Sequence, residues 1–407
     1  MGMLGIYNYH RLPIDAVPDI TNVQVQINTQ AAGYSPMESE QRVTFPIERV
    51  MAGLPNLDYT RSISRYGLSQ VTVVFEDGTD IYFARQLVNQ RIQEAKNKLP
   101  AGITPTMGPI STGLGEIFMY TVKAEKNSKK PDGTLYSSTD LREIQDWIIE
   151  PQLRTVKGVT EVNSIGGFVK QFHVAPYPEK LISFGLTLQD VVTALQRNNL
   201  NVGAGYIEKN GEQLLVRVPG QVINLDQIGE IILGSYRGIP VHIKNVADVL
   251  IGKELRNGAA TQNGEEVVLG TVHMLTGENS RTVSEAVAKK ITEINRSLPI
   301  NVVATTAYNR ATLVDKTIQT VATNLAEGAV LVIVVLLLFL GNFRAALIAA
   351  LVIPLSMLFT FSGMVTSQVS ANLMSLGALD FRIIVDGAIV FTENSVRRIT
   401  NKQAQLG

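Results

Sequence analysis

Asn22-Val-Gln-Val-Gln-Ile-Asn-Thr29 alternates apolar and polar side chains, the period-two pattern of a strand with one face buried. Reading outward from it gives the first structural unit. A helix is predicted from about Pro36 to Met51, followed by strands around Asp58 to Ile63 and Gln70 to Phe75, the second closing on the turn Glu76-Asp77-Gly78. Asp80 then caps a helix carrying Ile81, Phe83, Leu87 and Ile92, which ends before Pro100. The order is β-α-β-β-α, and one more strand completes a ferredoxin-like βαββαβ unit.

The pattern recurs. A strand at Ile117 to Val122 precedes a helix from about Asp140 to Val156, strands near Val159 to Ser164 and Val169 to Val174, and a helix at Leu188 to Asn198. Residues 200–250 differ in texture, with short strands broken at Glu208-Lys-Asn-Gly211, Val218-Pro-Gly220 and Tyr236-Arg-Gly-Ile-Pro240, and they read as a β-rich insertion. The αβ pattern returns with a strand at Val267 to Leu275, a helix at Val283 to Leu298 and a strand at Asn301 to Thr306, and a helical connector follows from Ala311 to Thr323.

Composition narrows the function classes. The 407 residues include 36 basic and 36 acidic side chains and no cysteine. Zero net charge leaves no basic footprint for nucleic acid. Without cysteine there is no disulfide framework, no thiolate nucleophile and no cysteine zinc site, so metal ligands must be carboxylates, histidines or methionines. No Ser/His/Asp elbow is present, and Gly113-Leu-Gly115 is too short for a phosphate loop. Charged residues are 18% of the chain, against about 25% in ordinary globular domains. The mean hydropathy of +0.13 and the scarcity of charge point to a membrane.

The apolar residues concentrate at the end of the chain. Gly328 to Phe343 carries no charge, and Asn324 to Gly341 reads as a membrane span near the lower length limit. Arg344 follows in a tight turn, and further spans are predicted at about Ala345 to Val365 and Ala371 to Phe391. Arg344 and the pair Arg397 and Arg398 fall on one side if the spans alternate, which places them in the cytoplasm and the long N-terminal region outside it. Residues 1–9 have neither the charged start nor the apolar core of a signal peptide and read as the tail of a helix. Inside the last span stand Asp380 and Asp386, with Glu393 near its end; Asp386 and Glu393 share a helix face. Carboxylates at membrane depth are costly and mark function, here a proton relay or structural pairing with basic groups of neighbouring helices.

Leu12-Pro-Ile-Asp-Ala-Val-Pro-Asp-Ile-Thr-Asn-Val-Gln-Val-Gln-Ile27 resembles the heavy-metal efflux (cobalt-zinc-cadmium, CzcA-type) branch of the resistance-nodulation-division (RND) superfamily. So do Val43-Thr-Phe-Pro-Ile-Glu48, Ser64-Arg-Tyr-Gly-Leu-Ser-Gln-Val-Thr-Val-Val74, Gly377-Ala-Leu-Asp-Phe381, Asp386-Gly-Ala and Glu393-Asn. The resemblance implies an α+β membrane protein with ferredoxin-like porter subdomains, a β-rich docking insertion and a transmembrane helix bundle. In these terms residues 1–9 are the remnant of a first transmembrane helix, 10–112 the first porter subdomain and 113–199 the first part of the second. Residues 200–250 are the docking insertion, 251–323 the rest of the second porter subdomain with its connector, and 324–407 three transmembrane helices and a cytoplasmic tail.

The implied activity is proton-driven efflux of divalent cations of the zinc, cobalt and cadmium type, by a transporter and not an enzyme, with no cofactor beyond the transported metal and protons. The implied setting is the bacterial inner membrane, multi-pass, with residues about 10–323 periplasmic. The implied partners are two further copies in a homotrimer, a periplasmic adaptor (membrane-fusion) protein, an outer-membrane channel and the lipid bilayer. Asp380, Asp386 and Glu393 fall on the three charged positions implicated in proton coupling.

Two departures qualify the resemblance. Arg382 stands where the family pattern Asp-Phe-Gly has glycine; it lies four residues before Asp386 and two after Asp380, and either contact favours the ionised carboxylate and would jam a relay. Family members are also more than twice this length, so the expectation is an N-terminal fragment that does not transport. The alternatives are a drug exporter of the same superfamily, whose pattern has adjacent aspartates, a protein-export component of that superfamily, or a non-transporting piece that binds pump partners. Glu116, beside Gly113 and Gly115 at a strand start, is the acidic candidate on a cation path, against a solvated or capping role. His10, His173, His242 and His273 are scattered and read as structural, and Glu143, Asp146 and Glu150 form a helical stripe read as a solvated face.

Overall fold

The computed structural model describes residues 5, 7–8, 14–15, 21–218, 220–254, 258–340, 355–356, 358–367, 371–372, 390, 394 and 397–398. They divide into two compact units, one comprising Met1–Lys123, Ile148–Ser164 and Leu269–Gly407, the other Ala124–Trp147 and Ile165–Val268.

The first ferredoxin-like fold lies wholly in the first unit. β1 (Gln24–Gln30) buries Val25, Ile27 and Thr29 on one face, as its alternation requires. Helix α1 runs through three segments, Pro36–Ser39, a π-helical turn Glu40–Thr44, and Phe45–Met51. Ser35 and Glu38 close a capping box at its start. β2 (Leu57–Arg65), β3 (Leu68–Phe75), α2 (Ile81–Lys96) and β4 (Pro105–Met107) follow, with Asp80 Oδ1 accepting from the Phe83 N–H at 2.7 Å. The sheet order is β2-β3-β1-β4, all pairs antiparallel. Val25, Ile27, Val71, Val73 and Phe75 meet Val43, Ile47 and Met51 of α1 and Ala84, Val88 and Ile92 of α2 in one core.

The π-turn has a local cause. Pro46 has no N–H, and its ring would strike the carbonyl four residues back in a regular helix. The wider turn, closed by the Phe45 N–H on the Glu40 carbonyl, makes room for it. The hydroxyl of buried Thr44 stands 2.8 Å from Ser64 Oγ and 2.7 Å from Ser69 Oγ, tying the turn to β2 and β3.

The second fold repeats the plan with an interruption. β5 (Glu116–Ala124) leads to α3, again in three segments, Ser138–Ile144, the π-turn Gln145–Ile149 and Glu150–Leu153. Its π-turn also ends two residues before a proline, Pro151. Then comes β6 (Val159–Ile165). Residues Ala124–Trp147, with the first part of α3, already group with the second unit, and after Ser164 the chain leaves the repeat for that unit's longer segment, Ile165–Val268.

The strand read at Val169 to Val174 is therefore not the third strand of the repeat. It is β7 (Lys170–Pro176), and the elements after it are α4 (Pro178–Ser183), α5 (Leu188–Arg197), the hairpin β8 (Val202–Lys209) and β9 (Glu212–Val218), and α6 (Leu225–Gly229). β10 (Ile232–Tyr236), β11 (Ile239–His242), α7 (Ile243–Val246) and β12 (Ala247–Lys253) complete it, and β12 pairs antiparallel with β7, Val249 opposite Val174 and Ile251 opposite Phe172. Leu181, Val191 and Ala194 of α4 and α5 share a core with Ile228, Val241, Ile243 and Val246. The β-rich texture of residues 200–250 thus belongs to a larger body that includes the two preceding helices.

After β13 (Ala260–Gln262) the chain returns on β14 (Glu265–Met274), α8 (Ser280–Asn295) and β15 (Val302–Asn309). β14 lies between β5 and β6, and the order β6-β14-β5-β15 reproduces that of the first sheet. The inserted unit therefore occupies the place of a hairpin between the second and third strands.

α9 (Arg310–Leu340) is one unbroken helix of 31 residues, about 46 Å long, that merges the predicted connector with the apolar run. Its uncharged end after Glu327 extends only about 20 Å. Among the described residues no helix is long and apolar enough to cross a membrane. Most of the second and third predicted spans lies outside the described residues.

Two predictions test this packing. A Cβ at Gly270 of β14 would collide with the buried ring of Tyr120 on β5. Gly270→Ala should lower the unfolding free energy in urea by about 1–3 kcal/mol, whereas Gly203→Ala, with nothing within 4 Å, should be neutral within about 0.5 kcal/mol. Equal effects would contradict the packing of Gly270 against the Tyr120 ring. The second concerns Asp140 in the capping box of α3. Burial lifts its carboxyl, but the Ser137 hydroxyl, the Ser137 N–H and the Lys130 ammonium outweigh this and hold it below the usual carboxylate range. A depressed folded-state value stabilises above the unfolded value and is lost as pH falls through the folded one. Asp140→Asn should cost about 1 kcal/mol at neutral pH and flatten the loss of stability expected as pH falls below about 4. An unchanged acid limb would exclude Asp140 as its source.

Candidate functional site

Of the residues singled out by the sequence, Asp380, Arg382, Asp386 and Glu393 lie outside the described residues, as does His10. Glu116 is described and half-buried, and it opens β5 directly after the 3₁₀ turn Gly113–Gly115. Its carboxylate makes no hydrogen bond or ion pair among the described residues.

The turn before Glu116 is held firmly. The Gly115 N–H donates to the Thr112 carbonyl at 2.9 Å, and Ser111 Oγ donates to the same carbonyl at 3.2 Å. Gly115 is buried, and a Cβ there would collide with Ser111 Oγ and stand 3.2 Å from the Met274 carbonyl. Buried Arg310, the first residue of α9, donates its guanidinium to the Leu114 carbonyl. Next to it, Asn309 Oδ1 accepts from the Ala311 N–H at 2.9 Å and caps the helix. Ser284 Oγ of α8 stands 3.0 Å from the Ile117 carbonyl and 2.9 Å from Asn309 Oδ1 and shares its one proton between them. The Arg281 guanidinium contacts Asp315 of α9 at 2.9 Å and Glu285 at 3.3 Å. The result is an uncommitted carboxylate on a rigid turn, joined through buried polar contacts to a long helix.

The sequence pointed to Glu116 but not to Arg310, Ser284 or Asn309. Asn309 before a helical run carries a capping signal; a buried arginine at a helix start carries none.

The histidines are satisfied separately. His173 Nε2 lies 3.1 Å from Gln171 Oε1, His273 Nε2 lies 3.2 Å from Asn163 Nδ2, and His242 Nδ1 lies 2.8 Å from the Glu230 carbonyl. Glu230 is held below the usual carboxylate range chiefly by the Lys244 ammonium. No group of three or more histidine, aspartate or glutamate side chains that could hold a metal ion occurs among the described residues. The acidic stripe is paired, Glu143 with Lys170 at 3.4 Å, Asp146 with Arg142 at 2.7 Å and Glu150 with Arg154 at 3.6 Å.

Two ferredoxin-like folds, the second split by an inserted unit and continued by a long helix, define a porter-type α+β protein. The family is then settled by comparison: residues 1–406 match the AcrB/AcrD/AcrF family, and the chain belongs to it. It is 68% identical over 407 residues to the "Cation efflux system protein CzcA" of Alcaligenes sp. (strain CT14) and 67% identical to the "Cobalt-zinc-cadmium resistance protein CzcA" of Cupriavidus metallidurans (strain ATCC 43123 / DSM 2839 / NBRC 102507 / CH34). Each match covers 100% of this chain and 38% of the relative. The fold matches the crystal structure of a heavy metal efflux pump with a TM-score of 0.87 at 37% identity, over 98% of this chain and 39% of that one. The resemblance to the heavy-metal efflux branch thus holds over the whole chain.

The site makes a simple stability prediction. Glu116→Gln removes no contact and should change the unfolding free energy by less than about 0.5 kcal/mol, whereas Gly115→Ala should cost about 1–3 kcal/mol. Thermal unfolding of the two variants decides it; a large loss from Glu116→Gln would assign that carboxylate a structural role.

Proposed function

We propose that this chain is part of a proton-driven exporter of divalent heavy-metal cations of the zinc, cobalt and cadmium class. The observation that carries the proposal is identity of 67–68% over all 407 residues with proteins named for cation efflux and cobalt-zinc-cadmium resistance. Identity at that level also favours metal cations over drugs or exported proteins as cargo. The chain spans 38% of the length of these relatives, so transport is assigned to the whole pump.

In this reading the apolar segments beginning at Asn324, Ala345 and Ala371 cross the inner membrane, and residues about 10–323 stand in the periplasm. Asp380, Asp386 and Glu393 exchange protons as their solvation changes, and Arg382 biases them toward the ionised form. The ferredoxin-like folds form the porter, with Glu116 contributing one hard oxygen donor to the passing cation. The inserted unit meets the outer-membrane channel, and the assembly is a homotrimer joined to a periplasmic adaptor.

A Gram-negative host sensitive to zinc, cobalt and cadmium provides the test. Production of the whole pump carrying this sequence with Arg382→Gly should raise its tolerance, the Arg382 form should raise it less, and Asp386→Asn should abolish the gain with the same amount of protein in the membrane. Unchanged sensitivity to all three cations, or a gain that survives Asp386→Asn, would contradict the proposal.

A further inference from the structure

We infer that Arg310 is a positioning residue that holds the turn before Glu116 and the start of α9 as one rigid element, so that displacement of the long helix reaches Glu116. The inference builds on the transport reading above, and it begins from an arginine in an unfavourable place. Arg310 is 4% exposed, and a guanidinium taken out of water needs hydrogen-bond compensation. It is also the first residue of a helix, where the backbone dipole presents its positive end. A small or apolar residue would avoid both penalties. What the guanidinium provides instead is a bond to the Leu114 carbonyl, 196 positions away in sequence and two residues before Glu116.

The other contacts at this node fix the same two pieces. Asn309 caps α9 and, through Ser284 Oγ, is bridged to the Ile117 carbonyl, one residue after Glu116. Glu116 is thus bracketed by Leu114 and Ile117, and both carbonyls are linked by polar contacts to the β15–α9 junction. Ala311 and Val314 are buried on the inner face of α9, and Asp315 is bound to Arg281 of α8. The first turn and a half of α9 is therefore fixed to β5 and to α8, while the rest of its roughly 46 Å forms the arm of a lever. Rigid packing transmits a displacement of such an arm where loose contacts would absorb it.

Hydrogen exchange on the purified 407-residue chain in detergent reads the clamp directly. In Arg310→Ala, amides of residues 113–117 and 310–315 should exchange faster by on the order of tenfold or more, with β1 and β3 unchanged, and Arg310→Lys should recover most of the protection. Unchanged exchange at 113–117, or acceleration spread evenly over the chain, would overturn the inference. If Arg310→Ala does not fold, Ser284→Ala, which removes the hydroxyl bridge alone, is read in the same way. In vesicles containing the whole pump, Arg310→Ala should lower the maximal zinc-export rate with little change in the half-saturating zinc concentration, while Glu116→Gln should raise that concentration. Full export by Arg310→Ala would overturn the coupling. A wild-type pump that moves no metal would refute the transport reading, and the exchange data would still decide whether the clamp exists.

Discussion

Strand β14 has to lie between β5 and β6 although residues 166–264, which build a core of their own, separate it from β6 in sequence. Everything else in the second ferredoxin-like fold depends on that placement. β14 brings Gly270 under the Tyr120 ring, where any side chain would collide, and it delivers α8 and β15 to the sheet. Only then does the chain reach Asn309 and Arg310 at the right place to grip the start of β5. Closing such a pairing carries a loop entropy that grows only slowly with length. An insert that folds on its own core is therefore tolerated where a disordered loop of the same length would be a hazard.

β5 and β15 are neighbours in the sheet, and the contact between Arg310 and Leu114 brings the start of one to the end of the other. This junction carries both the uncommitted carboxylate of Glu116 and the root of the helix that continues into the apolar run. One carboxylate does not hold a divalent cation, and no multidentate cluster completes it among the described residues. In the transport reading proposed above, such a group makes a transient contact with a passing cation. Its placement on a turn held by glycine packing and buried hydrogen bonds gives it a defined position.

The first ferredoxin-like fold was readable in the sequence because its signals are local. Asn22 to Thr29 alternates, Ser35 and Glu38 form a capping box, and Asp80 caps α2, so element and partner lie close together in the chain. The second fold was readable only in part. Val169 to Val174 alternates as well as any strand, but nothing in six residues says that its partner is Ala247–Lys253 and not the preceding strand. Helices α4, α6 and α7 are too short to establish a 3.6-residue period. Both helices were read as continuous through Pro46 and Pro151, but no local signal marked the π-turns that accommodate those prolines. Glu116 was conspicuous because glycines flank its approach. Arg310 was not, since burial of an arginine is decided by strands nearly two hundred residues away.

The central claim is that this sequence forms part of a pump that exchanges protons for divalent metal cations. The most direct measurement is zinc uptake by everted membrane vesicles containing the whole pump, with the vesicle interior made acid and no ATP present. The account predicts that zinc enters against its gradient, that a protonophore stops it, and that Asp386→Asn vesicles accumulate none. Uptake that ignores the pH gradient, or its absence in wild-type vesicles that hold correctly assembled pump, would contradict it.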